Sequence, residues 1–205
     1  KVRSFTDNNT PISDTELFIN DSVASLYGWK NYFQKNGLDR NRLNIPLTLG
    51  GGIRSVEDAC SLLCFCEKIS INSFLFEDQN ILESLSGLVG AQSVAVALDF
   101  QTVERQFFLT RYHGKDLMKF SASDFLNELR KHEFGELFIS AVNFDHSNKG
   151  IDTKLIDFVK KYFPKKTLVY GCGLKSIENI SKYEVHGLGG VISARAFQHK
   201  VLACD

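Results

Sequence analysis

The residues best able to do chemistry fall where apolar runs end. Asp99 closes the run Val94-Ala95-Val96-Ala97-Leu98. A carboxylate at the edge of an apolar run is partly desolvated, and that suits it to proton transfer. Asp21 and Asp145 end two further runs. Each aspartate taken singly reads equally as a helix cap or a solvated turn residue. Two glycine-rich turns stand out as well. Gly50-Gly51-Gly52 is followed about twenty residues later by Asn72-Ser73, and Gly171-Cys172-Gly173 by Ala194-Arg195. Glycine lets backbone N–H groups approach an anion, and a helix that starts just beyond adds positive potential. Arg195 brings a formal charge and the geometry to bind a phosphate bidentately. A single turn of this kind only permits a tight strand-to-helix connection. The pair predicts two phosphate sites, and with carboxylates between them the chemistry is general acid–base catalysis on a bisphosphate.

The elements that must carry these residues alternate. Short apolar runs at Glu16–Asp21, Pro46–Gly50, Lys68–Ser73, Ser93–Asp99, Glu136–Asn143, Thr167–Gly171 and Gly190–Ala194 read as strands. Most are apolar on successive residues, as strands of a parallel sheet buried on both faces are. Amphipathic stretches at Ser55–Cys64, Gln79–Leu88, Ser121–His132, Asp152–Phe163 and Ser176–Lys182 read as helices, with Ser55 and Ser176 as N-caps. Phe107–Tyr112 reads as a possible strand of an inserted hairpin. Alternation of strand and helix means α/β with crossover connections.

The chain also repeats itself. Glu16-Leu17-Phe18-Ile19 returns as Glu136-Leu137-Phe138-Ile139, and the segment from Leu47 to Asp58 returns as that from Leu168 to Asn179, both about 120 residues on. Ile69-Ser70-Ile71 answers Val191-Ile192-Ser193 at nearly the same offset. That period is too long for a solenoid. It predicts one (βα)8 TIM barrel over residues 1–205, built from half-barrels at about 1–90 and 91–205. The strand that should match Ser93–Asp99 would precede Lys1, and four residues between Pro11 and Glu16 are too few for a crossover helix. The expectation is therefore a longer parent chain, with a first strand and first helix lying outside this sequence.

In such a barrel the strand ends near Asp99 and the glycine turns form the active face. Glu16, Lys68 and Glu136 begin their strands and so sit on the opposite, bottom face. They read either as ordinary surface charges or as groups converging on the barrel axis, where they would gate it.

Composition bounds the partners. The 205 residues carry 24 basic and 24 acidic side chains, and 43% are hydrophobic, enough for a sizeable core. No basic stripe points to nucleic acid or to an anionic membrane. No apolar run approaches the roughly 18–20 residues of a membrane span. The segment from Lys1 to Asp7 lacks the apolar stretch of a signal peptide. Five cysteines, an odd number without a framework spacing, suggest a reduced, cytoplasmic protein. Cys60 and Cys64 are four apart on an apolar helix and read as small hydrophobes, so neither a metal nor another cofactor is expected.

The segment from Pro46 to Ala59, with Glu67 to Ser73, resembles the cyclase subunit (HisF) of imidazole glycerol phosphate synthase. So do Glu16–Asp21, Gln92–Asp99, and Gly135 through Asp145 to Asp152. The resemblance covers nearly the whole chain. It implies a barrel that receives ammonia from a glutaminase partner (HisH-like) docked on its bottom face. The ammonia would attack a ribulosyl-formimino bisphosphate at the top, giving imidazole glycerol phosphate and aminoimidazole carboxamide ribotide. By this resemblance Asp99 is one of two acid–base aspartates, the other lying upstream of Lys1. Gly51, Gly52, Asn72 and Ser73 match one phosphate site, and Asp145, Gly173, Ala194 and Arg195 the other. Lys1, Asp21, Ser70 and Ser140 match further substrate-site positions, and Glu16, Lys68 and Glu136 an ammonia gate.

The chain departs from the family pattern at several places. Asp145-His146-Ser147 stands for Asp-Gly-Thr, Gly171-Cys172-Gly173 for Ser-Gly-Gly, and Arg195 for a serine. Phe100-Gln101 stand where a lysine normally follows the aspartate. The two ends, Lys1–Phe5 and Phe197–Leu202, look more like the HisF-like paralogues of surface-polysaccharide pathways, which are thought to supply ammonia for acetamidino sugars. A barrel that only activates the glutaminase is a third reading.

Overall fold

The computed structural model describes residues 46–112, 114–144, 150–171 and 186–192, together with the backbone of 17–20. The chain divides into two compact units, Lys1–Ala95 and Val96–Asp205.

In the first unit, β1 (Leu17–Asn20), β2 (Leu47–Gly50) and β3 (Lys68–Ile71) pair side by side in parallel. Helix α1 (Val56–Leu63) joins β2 to β3, and α2 (Ile81–Val89) follows a short 3-10 turn over Ser73–Phe76. The sequence explains α1 locally. Ser55 is extended and its hydroxyl accepts from the Asp58 N–H at 3.1 Å, with Glu57 and Asp58 in the positive first turn. The Glu57 backbone N–H and the Ser55 side chain hold the Glu57 carboxyl below its ordinary range. Ala59 and Leu62 form the buried stripe. Leu47, Leu49, Ile69 and Ile71 of the strands are buried, as are Leu82 and Leu85 of α2. Helix α2 ends at Gly90, whose φ of 83° favours glycine.

The cysteines near α1 behave as helix side chains. Cys60 is half-buried, Cys64 exposed and Cys66 buried, and the thiols of Cys64 and Cys66 point to carbonyls four residues back.

Strand β4 (Val94–Val103) opens at the boundary, and the rest of the second unit follows it. A two-residue turn at Glu104 and Arg105 returns the chain as β5 (Gln106–Arg111), antiparallel to β4, and the two-residue strand β6 (Asp116–Leu117) pairs with β5. Helix α3 (Ala122–Leu129) leads to β7 (Glu136–Ala141), and α4 (Thr153–Lys160) leads to β8 (Thr167–Gly171) and β9 (Gly190–Ile192). Strands β4, β7, β8 and β9 lie in that order, with β7, β8 and β9 parallel.

Ser121 caps α3 through the Asp124 N–H, and Asp152 caps α4 through the Leu155 N–H at 3.2 Å. Tyr170 is fully buried, and its hydroxyl accepts from the Asp152 N–H at 3.0 Å, tying β8 to the start of α4. Parallel strands alternating with capped amphipathic helices define an α/β fold of the (βα)8 TIM-barrel class.

The elements differ from the sequence expectation in two ways. The strand expected over Ser93–Asp99 runs on to Val103, because its second half is one arm of the hairpin with β5. Asp99 therefore lies inside a strand and not at its end. The strands expected to reach Ser73 and Asn143 stop at Ile71 and Ala141 and continue as 3-10 turns. The helix expected over 176–182 lies outside the described residues.

Candidate functional site

In the first unit the glycine turn and the end of β3 come together. Gly50 lies opposite Ser70 in the parallel register. A Cβ on Gly50 would sit 2.9 Å from both the Ser70 Cβ and the Ser70 backbone oxygen, so only glycine allows this approach. Gly51 and Gly52 have φ of 104° and 69°, both in the region that favours glycine. The turn thus depends on all three residues for its backbone path, and its N–H groups precede the capped start of α1. Ser70 is buried on β3, while Asn72 and Ser73 lie just past the strand, where Ser73 opens the 3-10 turn. Gly51, Gly52, Ser70, Asn72 and Ser73 therefore cluster at the C-terminal ends of β2 and β3. Lys68 starts β3, at the other end of the same strand.

In the second unit the site is built on β4 and β7. Phe100 is buried, and its ring meets that of Phe158 on α4 edge-on at 6.5 Å. Phe107 of β5 packs on the same ring at 5.1 Å. Successive strand side chains alternate, so with Phe100 toward α4 its neighbours Asp99 and Gln101 take the opposite face. There the Ser140 hydroxyl of β7 donates to Asp99 Oδ1. Asp99 is half-buried, and its backbone oxygen also accepts from the buried Thr110 hydroxyl across the hairpin at 3.4 Å. A carboxylate gripped on one oxygen has a fixed orientation, which a group that moves protons at a defined atom requires. Glu136 starts β7, at the far end of the strand from Ser140.

Sequence reasoning placed both Asp99 and Ser140 in the site but not in contact. It also missed the clamp beyond them. The Asn143 side chain accepts from the Thr102 N–H at 2.6 Å and donates to the Thr102 oxygen at 3.2 Å. This pair of hydrogen bonds pins the extended half of β4 to the turn after β7. The one available signal was the strand-like pattern of Phe107–Tyr112, which implies a hairpin but not what it rests on. The expectations for Lys1, Glu16, Asp21, Asp145, Gly173, Ala194 and Arg195 lie outside the described residues. Among the described residues no group of three or more His, Cys, Asp or Glu could hold a metal ion, and no helix is long and apolar enough to cross a membrane.

Parallel strands alternating with amphipathic helices define a (βα)8 protein as the class. The family model described as "Histidine biosynthesis protein" matches residues 39–203, and the chain belongs to that family. Curated proteins similar to it include imidazole glycerol phosphate synthase subunits HisF. The subunit from Thermotoga sp. (strain RQ2) is 26% identical over 186 residues, covering 90% of this chain and 73% of the relative. That from Legionella pneumophila is 27% identical, over 81% of this chain and 79% of the relative. That from Exiguobacterium sp. is 30% identical, over 71% and 58%.

Proposed function

We propose that this chain is a HisF-type cyclase/lyase subunit of a glutamine amidotransferase complex. It uses ammonia to convert the phosphoribulosyl-formimino derivative of aminoimidazole carboxamide ribotide into imidazole glycerol phosphate and aminoimidazole carboxamide ribotide. The observation that carries this reading is the Asp99 carboxylate held by Ser140 on the face of β4 turned away from the helices. Asp99 acts as one acid–base group. The backbone N–H groups of Gly51 and Gly52, with Asn72 and Ser73, bind one substrate phosphate, and Asp145, Gly173, Ala194 and Arg195 serve the other. Lys1, Asp21, Ser70 and Ser140 line the substrate between them. A HisH-like glutaminase docks at the strand starts, and Glu16, Lys68 and Glu136 gate the ammonia that it releases.

A second reading rests on the residues that depart from the family pattern, Gly171-Cys172-Gly173, Asp145-His146-Ser147 and Arg195. A cationic, bulkier loop suits a different anionic ligand, and the protein would then channel ammonia for acetamidino-sugar formation. Incubating the purified protein with the histidine-pathway bisphosphate and an ammonium salt separates the readings. Formation of imidazole glycerol phosphate supports the first. Absence of product overturns it. Stimulation of a glutaminase without product leaves the sugar pathway or a purely glutaminase-activating barrel, and dependence of acetamidino-sugar formation on the gene decides for the sugar pathway.

A further inference from the structure

Gln101 sits two residues beyond Asp99 on the same strand and, by alternation, on the same face. Its Oε1 is buried and makes no hydrogen bond. Buried acceptors are almost always satisfied, because an unmet one keeps the cost of its lost hydration. The strand that carries it is held in place beside it. Thr102, the next residue, is bonded twice to Asn143. Gly114 closes over the carboxamide: a Cβ there would lie 3.4 Å from Gln101 Oε1 and 2.7 Å from a methyl of Val142. Val142 in turn lies two residues past Ser140, the donor to Asp99. Gln101 and Val142 thus form a second layer of side chains above the Asp99–Ser140 pair, and one of them offers an unmet acceptor.

We infer that Gln101 is a substrate-positioning residue whose Oε1 accepts a hydrogen bond from a neutral donor of the ligand, an amide N–H or a hydroxyl, next to the group on which Asp99 acts. A carbonyl oxygen repels phosphate oxygens, so this contact reads the middle of the ligand and not its charged ends. The inference rests on the cyclase reading above and deepens it by assigning the donor that the substrate must present.

The test compares Gln101→Met with the unchanged protein, measuring ammonia-driven steady-state kinetics on the bisphosphate together with thermal unfolding. Methionine keeps the length and removes the acceptor. The inference predicts a KM raised by roughly 5- to 150-fold, as expected for one lost hydrogen bond of about 1–3 kcal/mol, with a smaller change in kcat. It also predicts a melting temperature equal to or above the original, since an unmet buried acceptor is gone. Unchanged KM in a folded, active variant overturns the inference and leaves the cyclase reading intact. A lowered melting temperature with unchanged KM would mark Gln101 as structural. If the unchanged protein makes no product, the cyclase reading falls and this assignment falls with it.

Discussion

The Ser140 hydroxyl of β7 donates to the Asp99 carboxylate of β4, joining two strands on the face that looks away from α4. The contact orients the carboxylate on that face of the strand.

Ser140→Ala removes that donor and leaves Asp99 in place. Hydrogen bonds to charged groups contribute roughly 1.5–3 kcal/mol, and the loss falls mainly on orientation during turnover. The expected result is a fall in kcat of about 10- to 100-fold with a near-unchanged fold by circular dichroism. Steady-state assay of ammonia-driven turnover checks it, and an unaltered kcat would show that the contact is incidental.

The β4–β5 turn should be improvable. Glu104 and Arg105 have φ of 49° and 66°, a conformation that asparagine and glycine adopt at lower cost. Glu104→Asn with Arg105→Gly is expected to stabilise the protein by about 1 kcal/mol, or roughly 2–4 °C in melting temperature. Differential scanning calorimetry measures this, and a lower melting temperature would contradict the turn geometry.

Gly50→Ala places a methyl 2.9 Å from the Ser70 backbone oxygen, which cannot move without spreading β2 from β3. The expected cost is about 1–3 kcal/mol. Gly52→Ala, at φ of 69°, incurs backbone strain of about 1–2 kcal/mol. Urea titration of the two variants should show Gly50→Ala as the weaker protein or its equal. A Gly50→Ala protein as stable as the original would remove the close approach.

These relationships were unequally legible in the sequence. The runs around Leu47–Gly50, Val94–Leu98 and Leu137–Ile139 announced strands because burial on both faces leaves no polar alternation. Ser55 announced α1 because its side chain and the acidic first turn act within one segment. The hairpin was harder to read, since Glu104-Arg105 lacks the Asn-Gly signature that normally marks such a turn. The Asp99–Ser140 bond is tertiary. It depends on β4 lying next to β7, and no local pattern around either residue encodes that adjacency. The glycine turn was legible as a turn. The specific need for Gly50 was not, because it comes from Ser70 on the neighbouring strand.

Lys68 begins β3, at the opposite end of the strand from Asn72 and Ser73. A gate at that end predicts that Lys68→Ala leaves turnover with added ammonium salt within about twofold and lowers glutamine-driven turnover by ~10-fold or more, a barrier change of about 1.4 kcal/mol. Parallel assays with each nitrogen source, in the complex with a glutaminase, measure the ratio. Equal effects on both would remove the gate.

The most direct test of the central claim is ammonia-driven turnover of the bisphosphate by Asp99→Asn beside the unchanged protein. Asparagine keeps the size and the contact with Ser140 but cannot take up or release the proton. General acid–base catalysis contributes roughly 100- to 10,000-fold, so the variant should lose at least about 100-fold in kcat while remaining folded. A variant that makes imidazole glycerol phosphate at the original rate would contradict the account.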